Sequence, residues 1–405
     1  MTGFMVRPVD WVSFGPPRPS AAGESHRRST QLPPTPTTFQ GIVRTALLRA
    51  SGIELNDRSR SAQLARDALV GLPDRLPAGW QLQGPFITEV AGKHARPWVA
   101  SPRFLLQDDD KHLLRASLLS APQLGVEPTA LNDLSGGKEP VLVGHPEAKK
   151  PAGGWLSPRG LRALVSGVEP DRDEHCFALP IFIEEQHLPG LAIDPVLGTA
   201  EDGMLYFNQV LRFAGSSGLA GWLRGSLPGS IPPDALTRGD LCTCGYKSRP
   251  AVLEGLPDLD PDWLHVTNGD HLPKLAGEAD TFFLVALTPI PIPPGDRPAI
   301  EIVANDLALH GSLPAGVSVR VLAALTGRPR VIGGIEAASR RTRPNRSYWE
   351  AGSAFLFELS GGSPAERAQA LRSLNNTHPL GSRDEASFGY GHTLVAIGET
   401  KEGRT

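Results

Sequence analysis

At 405 residues the chain is long for one hydrophobic core, and its size predicts two domains. A hydrophobic content of 40% excludes a disordered protein, while 44 glycines and 39 prolines predict long loops. The net charge of −3 excludes a global basic field, so any nucleic-acid site must be a local basic face.

In chain order, the first predicted element is a strand, Phe4–Val9, followed by the irregular, proline-rich segment 15–36, GPPRPSAAGESHRRSTQLPPTP. A helix follows, with Thr35 as N-cap and Pro36 in the first helical position, where its missing N–H costs nothing. Phe39, Ile42, Val43, Ala46, Leu47 and Ala50 recur at helical spacing, and Gly52 supplies the stop. Arg44 and Arg49 lie outside that apolar stripe. QLQGPFITEV (81–90) and CFALPIFIEE (176–185) read as strands, and 107–112 and 144–154 as surface insertions. Segments 203–213, 280–292, 317–325 and 353–359 have strand character. Ser363, Pro364 and Glu366 then form a capping-box start for a helix over SPAERAQALRSLNN. The turn SFGYG leads into a last strand, His392–Ile397.

A strand–helix opening and a strand–helix–turn–strand ending are parts of βαββαβ units. The expected fold class is therefore α+β: two tandem ferredoxin-like (RRM-like) domains, 1–202 and 203–405, with long loop insertions. The odd, sparse cysteines (Cys176, Cys242 and Cys244) fit a reducing compartment. MTGFMVRPVDW carries no apolar signal segment, and no run approaches membrane-spanning length, so a soluble cytoplasmic protein is expected.

Several chemistries are excluded by pattern. There is no G-x-x-x-x-G-K-[ST] loop, and the GYG turn leads into a strand where a dinucleotide fingerprint needs a helix. No G-x-S-x-G elbow is present. CTCG offers Cys242 and Cys244 as zinc ligands, with only His175 and Cys176 to complete a set, which makes a weak metal candidate; no cofactor is expected. His26 and His392 are the histidines placed to act as a general base in RNA cleavage, or simply to contact RNA.

The arginines are the stronger signal. ASRRTRPNRSYW places Arg340, Arg341, Arg343 and Arg346 within seven residues, beside Tyr348 and Trp349. Arg18, His26, Arg27 and Arg28 form a second cluster in the N-terminal loop, next to Arg44. Guanidinium groups pair with phosphates and aromatic rings stack on bases, so both clusters suit single-stranded RNA. For the GYG turn two readings stay open: a turn that needs positive φ, or a backbone surface that holds a phosphate chain.

The run RPVDWVSFGPPRP…LPPTPTTFQGIVRTALL resembles the opening of the Cmr subunit three family, RAMP proteins of type III-B CRISPR effector complexes. The family's P-P-x-P-[ST]-T segment and G-x-[LV]-R-[ST] helix correspond to Pro33, Pro34, Pro36, Thr37, Gly41, Val43, Arg44 and Thr45. QGPF (83–86), GGWLSPRGL (153–161), PGLAIDPVLGTAEDGMLYF (189–207), TPIPI (288–292), GRPRVIGGIE (327–336), AGSAFLFEL (351–359) and the final GYGHTLV follow in family order. The sequence departs from the family where Gly333-Gly334-Ile335-Glu336 replaces G-G-W-D, and where His392 follows the glycine turn.

The resemblance implies two facing ferredoxin-like domains and a subunit without catalysis of its own. It implies binding of the 5′ handle of a CRISPR RNA, and a link between the large polymerase-like subunit and the backbone subunit. The candidate RNA contacts are then Arg18, His26, Arg27, Arg28 and Arg44; Arg340, Arg341, Arg343, Arg346 and Trp349; and Gly389, Tyr390, Gly391 and His392. The alternative is a repeat-processing endoribonuclease of the same fold, with His26 as base.

Overall fold

Phe4, Met5 and Val6 are buried in a strand, β1 (Thr2–Pro8), that lies inside a nine-stranded sheet. The structure, a computed structural model, describes residues 1–15, 27–57, 59–119, 142–148, 150–193, 197, 199–295, 299–310, 313, 316–335 and 342–398; of Arg27 and Arg28 it describes the backbone. Helix α1 (Pro36–Ala50) follows as its sequence predicts: Thr35 Oγ1 accepts from the Thr38 amide at 3.2 Å, and the chain turns off at Ser51 and Gly52. Phe39 stacks on Phe4 at 5.7 Å, which fastens the helix to the sheet. A second helix, α2 (Arg60–Val70), leads to the hairpin β2 (Gln81–Ala91) and β3 (His94–Ala100).

A long antiparallel hairpin, β4 (Ile183–Ile193) and β5 (Ala200–Phe213), stands apart from this sheet, and Arg27–Arg28 pairs with β5 in parallel. The chain then returns to the first sheet through β6 (Gly218–Arg224), β7 (Arg238–Cys244) and β8 (Arg249–Gly255). The body of the sheet runs β3-β2-β6-β1-β8-β7. Strands well past residue 202 thus flank β1 on both sides, because β6 and β8 together satisfy its two backbone edges. The first sheet therefore continues beyond the division at residues 202 and 203 expected from sequence.

The second sheet holds β9 (Thr281–Ala286), β11 (Val317–Leu325), β14 (Ala354–Gly361) and β15 (Thr393–Ile397), in the order β11-β14-β9-β15. A smaller sheet beside it contains β10 (Ile290–Ile292), β12 (Arg330–Ile335) and β13 (Thr342–Trp349). Helix α4 (Ala299–His310) precedes β11; α5 (Pro364–Leu374) and the short α6 (Arg383–Ser387) precede β15; α3 (Pro158–Val165) belongs to the first half. Ser363 and Glu366 make the expected capping box, with the Ser363 amide 2.7 Å from the Glu366 carboxylate.

Both halves share one antiparallel strand order. In β8-β1-β6-β2, and in β15-β9-β14-β11, the first strand of the unit lies between the fourth and the third. The last connection of the first half lacks a helix: residues 225–248, all described, join β6 to β8 through turns and β7. The fold is mixed α/β with antiparallel sheets, and no helix among the described residues is long and apolar enough to cross a membrane.

The halves share a packed core. Phe104 stacks on Phe283 of β9 with centroids 4.2 Å apart and planes 6° from parallel, and the Arg115 guanidinium covers both rings at 5.6 and 5.9 Å. Burying that pair removes two large apolar surfaces from water and couples the two sheets. Phe104→Ala is expected to cost about 3–5 kcal/mol. In urea unfolding followed by circular dichroism, the wild-type protein should show one transition, which the variant moves to lower denaturant or splits in two.

Candidate functional site

The glycine turn closes helix α6 and meets the first half of the chain. Helix α6 begins with a second capping box, Ser382 with Glu385, and ends with the Gly389 amide donating to Ala386 O at 3.0 Å. Gly389 (φ +100°) and Gly391 (φ +68°) take left-handed conformations that other residues resist. A Cβ on Gly389 would stand 2.9 Å from the carbonyls of Leu82 and Gly84 in β2, and one on Gly391 would collide with the carbonyl of Leu380. Thr288 Oγ1 donates to Gly389 O at 2.6 Å and accepts from the His392 amide at 3.0 Å, while the Gly391 amide donates to Pro289 O at 2.9 Å. The turn is a positive-φ structure pressed against protein backbone, the first of the two readings left open by sequence. These glycines are packed against the chain itself, not laid open to a phosphate.

That packing decides what the side chains of the turn can do. Tyr390 is 1% exposed; its hydroxyl hydrogen-bonds Thr37 at 2.9 Å, and its ring stacks on Tyr348 at 4.9 Å. Burial pushes the phenols of both tyrosines up, so they remain protonated. Trp349 is also buried, edge-on to Phe355 at 5.8 Å. Neither Tyr390 nor Trp349 presents an open ring face to a base, which corrects the expectation that they would stack on RNA.

His392 is buried too. Its ring stacks on His378 at 4.6 Å, and Nε2 lies 2.8 Å from Asn376 Oδ1. Desolvation, with a smaller contribution from the Arg224 charge, pushes its pKa down to about 3, so it is neutral at physiological pH and a weak base shut away from solvent. His378 is shifted well down for the same first reason, with His392 and Arg224 adding to it.

The arginines divide three ways. Arg18, His26, Arg340 and Arg341 lie outside the described residues, and Arg27 and Arg28 are seen as backbone paired with Phe207 and Asn208. Arg44 is drawn onto the protein: Nη1 reaches Gln40 at 3.3 Å, and Nη2 donates to the Gly71 carbonyl at the end of α2. Arg343 and Arg346 come together on β13 at a cleft of about 570 Å³ between the halves. Arg346 donates to Glu385 at 2.6 Å, which raises its pKa, and Arg343 donates to Pro73 O at 3.4 Å. Thr37, Tyr348 and Tyr390 form the floor of this cleft, and Asp74, Asp384 and Glu385 bring carboxylates to its wall.

Sequence reasoning missed those carboxylates. Ser382-x-x-Glu385 is a helix-start signature and could have revealed α6, but nothing in the sequence marks Asp74 as a neighbour of Arg346. Cys242 and Cys244 are buried in the apolar core, and desolvation pushes their thiols up to about 11 and about 12. The side chains that gather closely enough to share a cation, among the described residues, are instead Asp108, Asp110 and His112 on an exposed turn.

Across residues 4–397 the sequence matches the profile of a CRISPR-associated protein. The chain belongs to that family, Cas_Cmr3. No curated protein matches it. Similar solved chains include one from the type III-B Cmr-beta complex bound to cognate target RNA and AMPPnP, with 15% identity, 87% of this chain and 86% of that chain covered, and a TM-score of 0.41. Another is from a Csm1-Csm4 cassette in complex with pppApA, with 11% identity, coverage of 98% and 95%, and a TM-score of 0.28. A third is a CRISPR protein from Archaeoglobus fulgidus, with 12% identity, coverage of 98% and 100%, and a TM-score of 0.26.

The buried histidine pair makes stability depend on acid. An unfolded histidine titrates near 6.5, so below that pH the unfolded chain binds protons that the folded chain refuses. Stability should be full above pH 6.5 and drain as the pH falls toward 3, at up to about 1.4 kcal/mol per pH unit for each histidine. Denaturant unfolding at pH 7 and pH 5 should show this loss, and His392→Gln should make it smaller.

Proposed function

We propose that this chain is a non-catalytic subunit of a type III-B CRISPR RNA-guided effector complex. In this role it binds the 5′ handle of the CRISPR RNA and joins the large polymerase-like subunit to the backbone subunit. Membership of the Cas_Cmr3 family over residues 4–397 carries the proposal. The common strand order of the two sheets supports reading each half as a ferredoxin-like unit, with the boundary between Gly255 and Thr281. The phosphate chain would follow Arg343 and Arg346 at the rim, which Arg340 and Arg341 precede in sequence, and Arg27 and Arg28, whose backbone pairs with β5. The Arg346 side chain is 57% exposed, so with five N–H donors it can hold Glu385 and still meet a phosphate.

RNA that co-purifies with the native assembly should share one repeat-derived 5′ end when sequenced. Replacing Arg340, Arg341, Arg343 and Arg346 with alanine should weaken handle binding and flatten its log–log salt dependence by about 0.7 for each phosphate no longer neutralised. Unchanged affinity and slope in the assembled complex would remove this surface from the RNA site. Metal-independent cleavage of repeat RNA by the purified chain, abolished by changing His26, would replace the proposal with the endoribonuclease.

A further inference from the structure

The cleft between the halves has an electrostatic sign that its arginine-rich strand does not suggest. Two arginines, Arg343 and Arg346, face three carboxylates, Asp74, Asp384 and Glu385, which leaves the described lining net negative by one charge. Both guanidinium groups are already turned onto the wall, toward Pro73 and Glu385. Asp384 meets Arg75 at 3.4 Å, but both side chains are more than half exposed, so this pair is weak and easily exchanged. Asp74 is exposed and makes no hydrogen bond with a described residue.

A group that presents N–H donors would meet acceptors in this cleft. Carboxylates are acceptor-only and take two parallel donors from one partner. Among RNA bases, guanine offers adjacent donors at N1 and N2 on its Watson–Crick edge, while uracil offers one N–H between two carbonyls that a carboxylate repels. The volume of about 570 Å³ exceeds that of a single base, and Pro73, Pro344 and Ile332 supply apolar wall for its faces. We propose that the cleft reads one unstacked guanine of bound RNA through Asp74 and Asp384, while the arginines at its mouth hold the flanking phosphates. The inference rests on the RNA-binding reading above and names which base that site selects. A cationic side chain of a partner protein would also suit acidic walls, but it would have to pass the exposed Arg346 at the entrance.

The test uses the full chain and fluorescein-labelled, eight-nucleotide uridine RNAs carrying a single guanosine at each position in turn, each compared with its inosine counterpart, which lacks the N2 amine. At one position guanosine should bind about tenfold tighter than inosine. Asp74→Asn or Asp384→Asn should erase that difference. The guanine site is overturned if no position separates guanosine from inosine, or if the preference survives in both variants. It is also overturned if the variants tighten every RNA alike, which would make the carboxylates simple repulsion or a seat for a protein cation. Equal binding of all the RNAs would remove the guanine site alone. Failure to bind any of them would remove the RNA-binding reading with it.

Discussion

The architecture depends on a close approach of backbone to backbone. Between Ser387 and His392 the chain is pressed on one side against Leu82 and Gly84 of the first half, and stitched on the other to Thr288 and Pro289 of the second. Only glycine at 389 and 391 permits that approach with the observed φ values. Everything nearby takes its position from it. Tyr390 is carried onto Thr37 at the start of α1, Tyr348 stacks beneath it, and β13 is thereby held at the cleft with Arg346 on Glu385 of α6 and Arg343 on the Pro73 carbonyl. The buried histidines lie on the same seam, where His378 accepts from Gln81 of β2 across 2.9 Å.

Segments remote in sequence therefore meet at one place. Thr37 comes from the proline-rich opening, Gly84 from QGPF, Thr288 from TPIPI, and the turn itself from the C-terminal GYGH. Each motif taken alone looks like ordinary turn or cap chemistry. Together they form a joint whose parts have no slack, because the contacts are carbonyls and ring faces, not flexible side-chain ends.

Local structure was legible in the sequence wherever a short stretch encodes its own hydrogen bonds. Thr35 with Pro36, and Ser363 with Glu366, satisfy helix N-terminal amides within a few residues, and both helices start where their caps place them. Partners distant along the chain were not legible. The sequence does not say which edge Gly218–Arg224 will seek, and pairing with β1 places it in the first sheet. The same limit applied to the site: four arginines in seven residues read as a basic patch, yet Asp74 and Glu385 arrive from more than 300 residues apart and set carboxylates against Arg343 and Arg346. A glycine pair signals close approach without naming what approaches, and here the neighbour is the protein's own backbone.

If this joint forms the seat for RNA, its position can be read from covalent adducts. Ultraviolet crosslinking of the native ribonucleoprotein, followed by mass spectrometry of nucleotide-bearing peptides, tests the account most directly. The expected result is adducts from the 5′ end of the guide RNA on peptides spanning Thr342–Trp349 and the Asp74 loop. Adducts confined to other surfaces, with those peptides unmodified in an intact complex, would contradict it.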